Sequence, residues 1–300
     1  MTMDKERLLW LDIAKGIAII LVVLGHSGTP VWLNRFIFTF HVPLFFIAAG
    51  MTNDFKRPWG IFLKRKARTL LLPFIVYSII VLVMRSFVSD LSFGELTLNF
   101  LKDGWVGVPL WFVPVLFVAL LIVRLTFDIK NDALRYALWI FIPLISIDLC
   151  TIHFGLPWNM SVAPFATALI VIGHQCKDTI VQWVKKPLGG AISLLVVVVV
   201  SQICRLDMCF NQVLPITLIL VGALAGSYMI FTLSYWIEKH LRFISKALQK
   251  IGKETYMILA FAEIIIVYLN YFFDFNALVK YAIMIVALYL LAIVRRLFRL

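Results

Sequence analysis

Apolar runs, each close to the length that crosses a bilayer, alternate with short polar segments along this chain. A helix needs about 20 residues to cross ~30 Å of hydrocarbon at a rise of 1.5 Å per residue. Ten runs approach that length: residues 8–27, 32–52, 70–89, 109–127, 133–150, 161–176, 187–204, 213–236, 252–273 and 276–295. The sixth is short, and the fifth carries Pro143 and Asp148. The pattern predicts an all-α, polytopic integral membrane bundle of about ten transmembrane helices. No internal repeat, low-complexity tract or soluble domain is apparent, so residues 1–300 read as a single transmembrane domain. Basic residues precede the first run, as in a signal peptide. No small-residue cleavage site follows and more runs do, so the first run is read as retained.

Composition agrees. The chain is 62% hydrophobic and 15% charged, with a mean hydropathy of +0.97, whereas a soluble domain is roughly half apolar and a quarter charged. The net charge of +12 raises the question of an acidic partner, and the distribution of Lys and Arg answers it. With the N-terminus in the cytoplasm, Lys102, Arg205 and Lys280 fall in outer loops, and Lys15, Arg35 and Arg85 lie in or at spans. The other 22 of the 28 lie on inner segments. That asymmetry obeys the positive-inside rule with both termini cytoplasmic, and no nucleic acid is needed to explain it. Of the four cysteines, Cys150, Cys204 and Cys209 fall near the outer face and Cys176 near the inner. Pairing of Cys204 with Cys209 in an oxidising exterior and burial as small hydrophobes both stay open. No spacing suggests a metal site.

The first run reads LDIAKGIAIILVVLGH, Leu11 to His26, and holds an acid, a base and an imidazole in an otherwise apolar span. The eleven steps from Lys15 to His26 make three helical turns plus about 20°, which puts both on one face about 16 Å apart. Asp12, three residues before Lys15, is in pairing range. Ionisable groups are costly in lipid and belong against the bundle interior or a water-filled cavity. Asp12 and Lys15 read either as a structural ion pair near the inner interface or as part of a functional polar stripe that ends at His26.

The second run adds FTFHVPLFFIAAGM, Phe38 to Met51. His41 lies near its middle and needs a partner there, and Pro43 removes a helical hydrogen bond and predicts a kink. A packed, hydrogen-bonded histidine and a catalytic one are equally compatible with that spacing. The next segment, Trp59 to Arg68, interleaves Trp59, Ile61, Phe62 and Leu63 with Lys64, Arg65, Lys66 and Arg68. An amphipathic helix on the anionic lipids of the inner leaflet is one reading. A docking surface for a phosphate-rich cytosolic donor is the other.

The order of these features resembles the acyltransferase 3 family of polytopic membrane O-acyltransferases. The resemblance rests on Asp12-x-x-Lys15 with His26 following, FHVPLFF with its AAG end, the basic run into LLLPF, and PLWFVPVLF at Pro109 to Phe117. LPWNMSVAPFATALIVIGH, Leu156 to His174, and IGKETYMIL, Ile251 to Leu259, extend it over nearly the whole chain. The resemblance implies acyl transfer, most often of acetyl, from cytosolic acetyl-CoA to a hydroxyl of a surface polysaccharide or its lipid-linked precursor. It also implies a bacterial cytoplasmic (inner) membrane and no permanently bound cofactor.

By that resemblance Lys15 stands where the family has an Arg, keeping the charge but losing the two-pronged donor. His26 stands at the histidine proposed to be catalytic. Many relatives carry a histidine in the ninth span, where this chain reads Ala262 and Glu263. The expected roles follow from chemistry. A base must take the hydroxyl proton as the carbonyl is attacked, and a histidine near neutral pKa typically contributes 10²–10⁴-fold. His26 is expected as that base or as an acyl carrier, and His41 as the group that orients the acceptor or stabilises the oxyanion. Lys15 and Asp12 would shape the inner entrance, and Lys64, Arg65 and Arg68 would hold the donor phosphates. Trp111 would pack a wall or stack a sugar ring, and Glu263 is an intramembrane acid.

The rival class is a transporter or flippase for a glycan or small solute, against which stands the lack of repeated halves and of a matched pair of broken helices. A third class is a non-catalytic membrane module that binds or senses a ligand. Acceptor, acyl group and oligomeric state are left open by the sequence.

Overall fold

The computed structural model describes residues 8–26, 28–104, 109–152 and 154–297. Lys5, Arg7 and Arg299, counted above on the inner side, lie outside the described residues. The chain is helical. It begins with α1 (Leu9–Gly25), α2 (Val31–Phe38), α3 (His41–Thr52) and α4 (Trp59–Lys66). A π-helical turn, Ala67–Leu71, leads into α5 (Leu72–Ser86), followed by α6 (Phe93–Asp103), α7 (Phe112–Thr126), α8 (Asp132–Phe141) and α9 (Leu144–Thr151). Next come α10 (Ala163–Gln175), α11 (Lys177–Trp183) and α12 (Pro187–Ile203). The last four are α13 (Ile216–His240), α14 (Arg242–Lys253), α15 (Thr255–Phe272) and α16 (Ala277–Leu297). Among the described residues there is no strand, only an isolated antiparallel bridge between Asp207 and Gln212.

Six helical stretches are long and apolar enough to cross a membrane: Val31–Thr52, Trp59–Ser86, Pro109–Thr126, Asp132–Thr151, Ile216–His240 and Thr255–Phe272. A seventh arises if α11 and α12, bent by 106°, count as one broken span. The other expected spans are helices too, but short ones. α1 has 17 residues and α10 has 13, and the apolar part of α16 is Leu278–Val294. A 17-residue helix reaches about 26 Å, just under the ~30 Å of hydrocarbon.

Breaks occur where local chemistry requires them. The second span divides at Thr39 and Phe40, where Pro43, one turn later, supplies no amide to the Thr39 carbonyl. The fifth divides at Pro143 between α8 and α9. Pro73 has no amide for the helix behind it, and there the backbone widens to π geometry, with the Leu72 amide donating five residues back to Ala67. The expected amphipathic segment at Trp59–Arg68 and the third span are therefore one helical stretch. α6 starts with a reciprocal capping box, Ser92 with Glu95, and ends on Gly104 in the left-handed region, φ 73°.

The chain forms two compact units. The first comprises Met1–Thr52, Ile172–Leu206 and Leu214–Thr255; the second comprises Asn53–Val171, Asp207–Val213 and Tyr256–Leu300. In the first, α1 is gripped by α3, α13 and α14. α1 and α14 cross so closely that a side chain at Gly252 would land on the Asp12 carbonyl, and one at Gly16 on the Leu248 carbonyl. α13 runs antiparallel to α12, with Gly190 against Thr232 at one end and Val200 against Gly222 at the other. In the second unit α15 lies along α5. The Tyr256 hydroxyl donates to the Leu70 carbonyl (2.7 Å) and Tyr268 to Met84 (2.5 Å), so the two helices run in the same direction.

Candidate active site

In the first unit the polar positions of α1 separate into two places. Asp12 is buried and Lys15 Nζ lies 2.8 Å from its Oδ1, at the level where α14 crosses. This is the ion pair that the spacing predicts, and the crossing helix holds the Asp12 backbone as well. His26 sits at the other end, as the residue that terminates α1. Its amide donates to the Val22 carbonyl at 3.2 Å, and its side chain is exposed. The last carbonyls of a helix lack intrahelical partners. The Gly25 carbonyl, one residue before His26, is taken by Asn34 Nδ2 at 2.8 Å, which ties the end of α1 to α2.

His41 opens α3 and is 2% exposed. Its Nδ1 is 2.8 Å from the Ile37 carbonyl oxygen. A carbonyl only accepts, so Nδ1 carries the proton, and in the neutral ring the lone pair is left on Nε2. The ring has the partner that its place in an apolar span demands, and its second nitrogen is left able to accept a hydrogen bond. Phe38, the last residue of α2, joins the two histidines. Its ring centroid is 5.8 Å from that of His26 and 4.8 Å from that of His41. The break after Phe38 is what allows one aromatic ring to touch both imidazoles.

The remaining expected residues belong to the second unit. Lys64 and Arg65 are exposed on α4, and Arg68 is exposed in the π turn. The apolar side of α4 rests on Phe62, which is buried, with Phe55 and Trp59 beside it. Arg124 at the end of α7 stacks over the Trp59 ring at 4.6 Å and pairs with Asp128 at 2.5 Å, while Trp59 Nε1 donates to the other Asp128 oxygen. This clamp fixes the base of the cationic segment. Trp111 is buried in the 3₁₀ turn before α7, edge-on to Phe112. Glu263 is half-buried on α15, within electrostatic reach of Arg85 on α5.

The structure therefore brings His26 and His41 onto one ring and Asp12 onto Lys15. It places Lys64, Arg65, Arg68, Trp111 and Glu263 in the other unit. Phe38 and Asn34 were not singled out from the sequence. One is an aromatic residue among many, and the other acts through a backbone carbonyl nine residues away, so neither leaves a signal in spacing. Cys204 and Cys209 carry free thiols. The Cys209 thiol is pushed up to about 12 by burial, with the Asp207 charge adding to the effect, and so stays protonated at neutral pH.

No curated protein and no solved structure matches this chain. The family model described as an acyltransferase domain, Acyl_transf_3, matches residues 8–295, nearly the whole length. The residue order noted in the sequence and that match agree: the chain belongs to the acyltransferase 3 family and is a multi-pass membrane acyltransferase.

Proposed function

We propose that this protein O-acylates a cell-surface polysaccharide or its lipid-linked precursor, taking acetyl from cytosolic acetyl-CoA, in the cytoplasmic membrane of a bacterium. The observation that carries this reading is the shared contact of His26 and His41 with Phe38 at the end of α1, within a chain of the acyltransferase 3 family. His26, exposed, takes the proton of the acceptor hydroxyl while its oxygen attacks the thioester carbonyl. The carbon–sulfur bond breaks, and the thiolate of coenzyme A leaves and is protonated by the imidazolium. In the two-step form the imidazole first takes the acyl group with release of the thiol, and the hydroxyl then attacks the acyl-imidazole. His41, with its Nδ1 proton committed to the Ile37 carbonyl, orients the acceptor by accepting a hydrogen bond at Nε2; the role at the oxyanion expected from the sequence would need a proton on Nε2. Lys15 and Asp12 shape the inner entrance, Lys64, Arg65 and Arg68 hold the donor phosphates, Trp111 packs a wall or stacks a sugar ring, and Glu263 serves as an intramembrane acid in substrate binding.

Ten crossings with both termini cytoplasmic belong to the same proposal. α5 and α15 run in the same direction, so an odd number of crossings separates them. Three of the long spans lie between, so α10 and α12 cross together or not at all. If neither crossed, Lys177, Lys185 and Lys186 would face outward, against the positive-inside rule. Both crossing gives the ten-span count.

The test is acyl-CoA turnover by the purified protein in lipid nanodiscs. The expected result is slow release of coenzyme A that falls at least 100-fold in His26→Ala, the scale of a lost general base. Solute movement with no release of coenzyme A would favour a carrier instead.

A further inference from the structure

The surface of α14 divides into three sectors. The sector that meets α1 holds Leu248 and Gly252, and Ser245, on the same arc of about 60°, is buried. Arg242, Lys246, Lys250 and Lys253, at steps of four, four and three, share a second arc of about 80°. All four are exposed, and among the described residues none of them enters an ion pair. Phe243, Ile244 and Ala247 occupy the third arc and are exposed as well. Phe243, at 86% exposure, is the most exposed large apolar side chain among the described residues.

A helix packed on protein along one face ordinarily turns only polar side chains outward. Here one outward sector is cationic and the other is apolar. Water suits the first and not the second. The boundary between headgroups and acyl chains suits both, because its phosphates attract Lys and Arg while its hydrocarbon takes up aromatic and aliphatic side chains. Lysine stems can lie along the apolar boundary with their ammonium groups among the phosphates. A soluble phosphate ester would meet the cations alone and leave Phe243 in water.

We propose that α14 is seated on the membrane surface by anionic phospholipid. The headgroup phosphates meet Arg242, Lys246, Lys250 and Lys253, and the acyl chains cover Phe243, Ile244 and Ala247. The proposal stands without the acyl-transfer reading, and the leaflet is the cytoplasmic one in the ten-crossing topology given above.

The experiment is local lipid quenching in the full-length protein, reconstituted in vesicles. Phe243→Trp places an indole on the apolar arc, and subtracting the emission of the parent removes its nine native tryptophans. Phosphatidylcholine and phosphatidylglycerol, each brominated on the acyl chains, serve as quenchers. Both are expected to quench, with phosphatidylglycerol preferred about fivefold or more, the scale of one surface lysine. Adding Lys246→Gln and Lys250→Gln is expected to remove most of that preference. Taking the same charge from the exposed Lys185 and Lys186, in the same unit, is expected to leave it in place. Four results overturn the proposal: no quenching, equal quenching by both lipids, an undiminished preference without Lys246 and Lys250, or the same loss without Lys185 and Lys186. Loss of the phosphatidylglycerol preference on adding coenzyme A would overturn it too, by assigning the cations to a soluble phosphate ester.

Discussion

His26 and His41 hold different positions around the same ring. His26 is an exposed helix-terminating residue whose neighbouring carbonyl is secured by Asn34, and His41 is a buried residue whose Nδ1 is committed to the Ile37 carbonyl. A base that must meet an incoming hydroxyl has to be reachable, and one that orients has to be fixed. The division of roles proposed above follows that difference. A second residue-scale feature lies at Asp128, which accepts from Arg124 first and from Trp59 second, and these bonds hold its carboxyl below the ordinary 3.8. A carboxylate with a depressed pKa contributes stability that is complete above its ordinary value and is lost as pH falls through the depressed one. The thermal midpoint in detergent should therefore not vary with pH through Asp128 near neutrality, where its contribution is complete, and Asp128→Asn should lower it slightly there. Below pH about 4 it should fall less steeply in Asp128→Asn than in the parent protein. The difference should be small, because the carboxyl is exposed and salt-screened. An identical acid profile in the two proteins would show that the clamp does not contribute.

The two histidines were visible in the sequence because an imidazole stands out in an apolar run. Asp12 and Lys15 were visible because a spacing of three places them in contact. Phe38 and Asn34 were not, since their importance arises only when ends of separate helices meet.

At the scale of elements, prolines mark the breaks in the second and fifth spans; the kink from Pro43 was expected, whereas Pro143 was noted only as a feature that weakens the fifth run. The π turn at Ala67–Leu71 was not expected. It lies just before Pro73, which lacks an amide, and its Leu70 carbonyl accepts from the distant Tyr256 hydroxyl, a partner that no local spacing announces. The crossing of α1 and α14 was equally hidden, because two glycines in separate helices give no sign that they face each other's backbones. It makes a strong prediction. At Gly252 an added methyl meets the Asp12 carbonyl, a backbone atom that cannot rotate away. Gly252→Ala should cost about 1–3 kcal/mol or more as an overpacked contact, read as a lower thermal midpoint. Gly60, in α4, has nothing within 4 Å of an added Cβ. Gly60→Ala should leave the midpoint unchanged or raise it, as Ala replaces Gly in an exposed helix. Equal effects of the two substitutions would contradict the close crossing.

For the whole molecule, apolar length gave the helices and their order, while the division into two units was not legible. Residues 172–206 join the N-terminal helices, and 207–213 belong with residues far from them in sequence. Such partition depends on which faces pack together, and an apolar run that is hydrophobic all round does not declare a face. The same ambiguity hid the shortness of α1, which falls below full spanning length although its sequence is apolar, whereas that of α10 was visible in the short sixth run. The central claim is that this acyltransferase modifies a surface glycan through His26. Mass spectrometry of the host's surface glycans, with the native protein, without it and with His26→Ala, tests that most directly. The account predicts an acetyl mass on the glycan that appears with the native protein and is absent in both other samples. Glycans with unchanged acylation in all three samples would contradict it, and an altered amount of exported glycan in its place would point to a carrier.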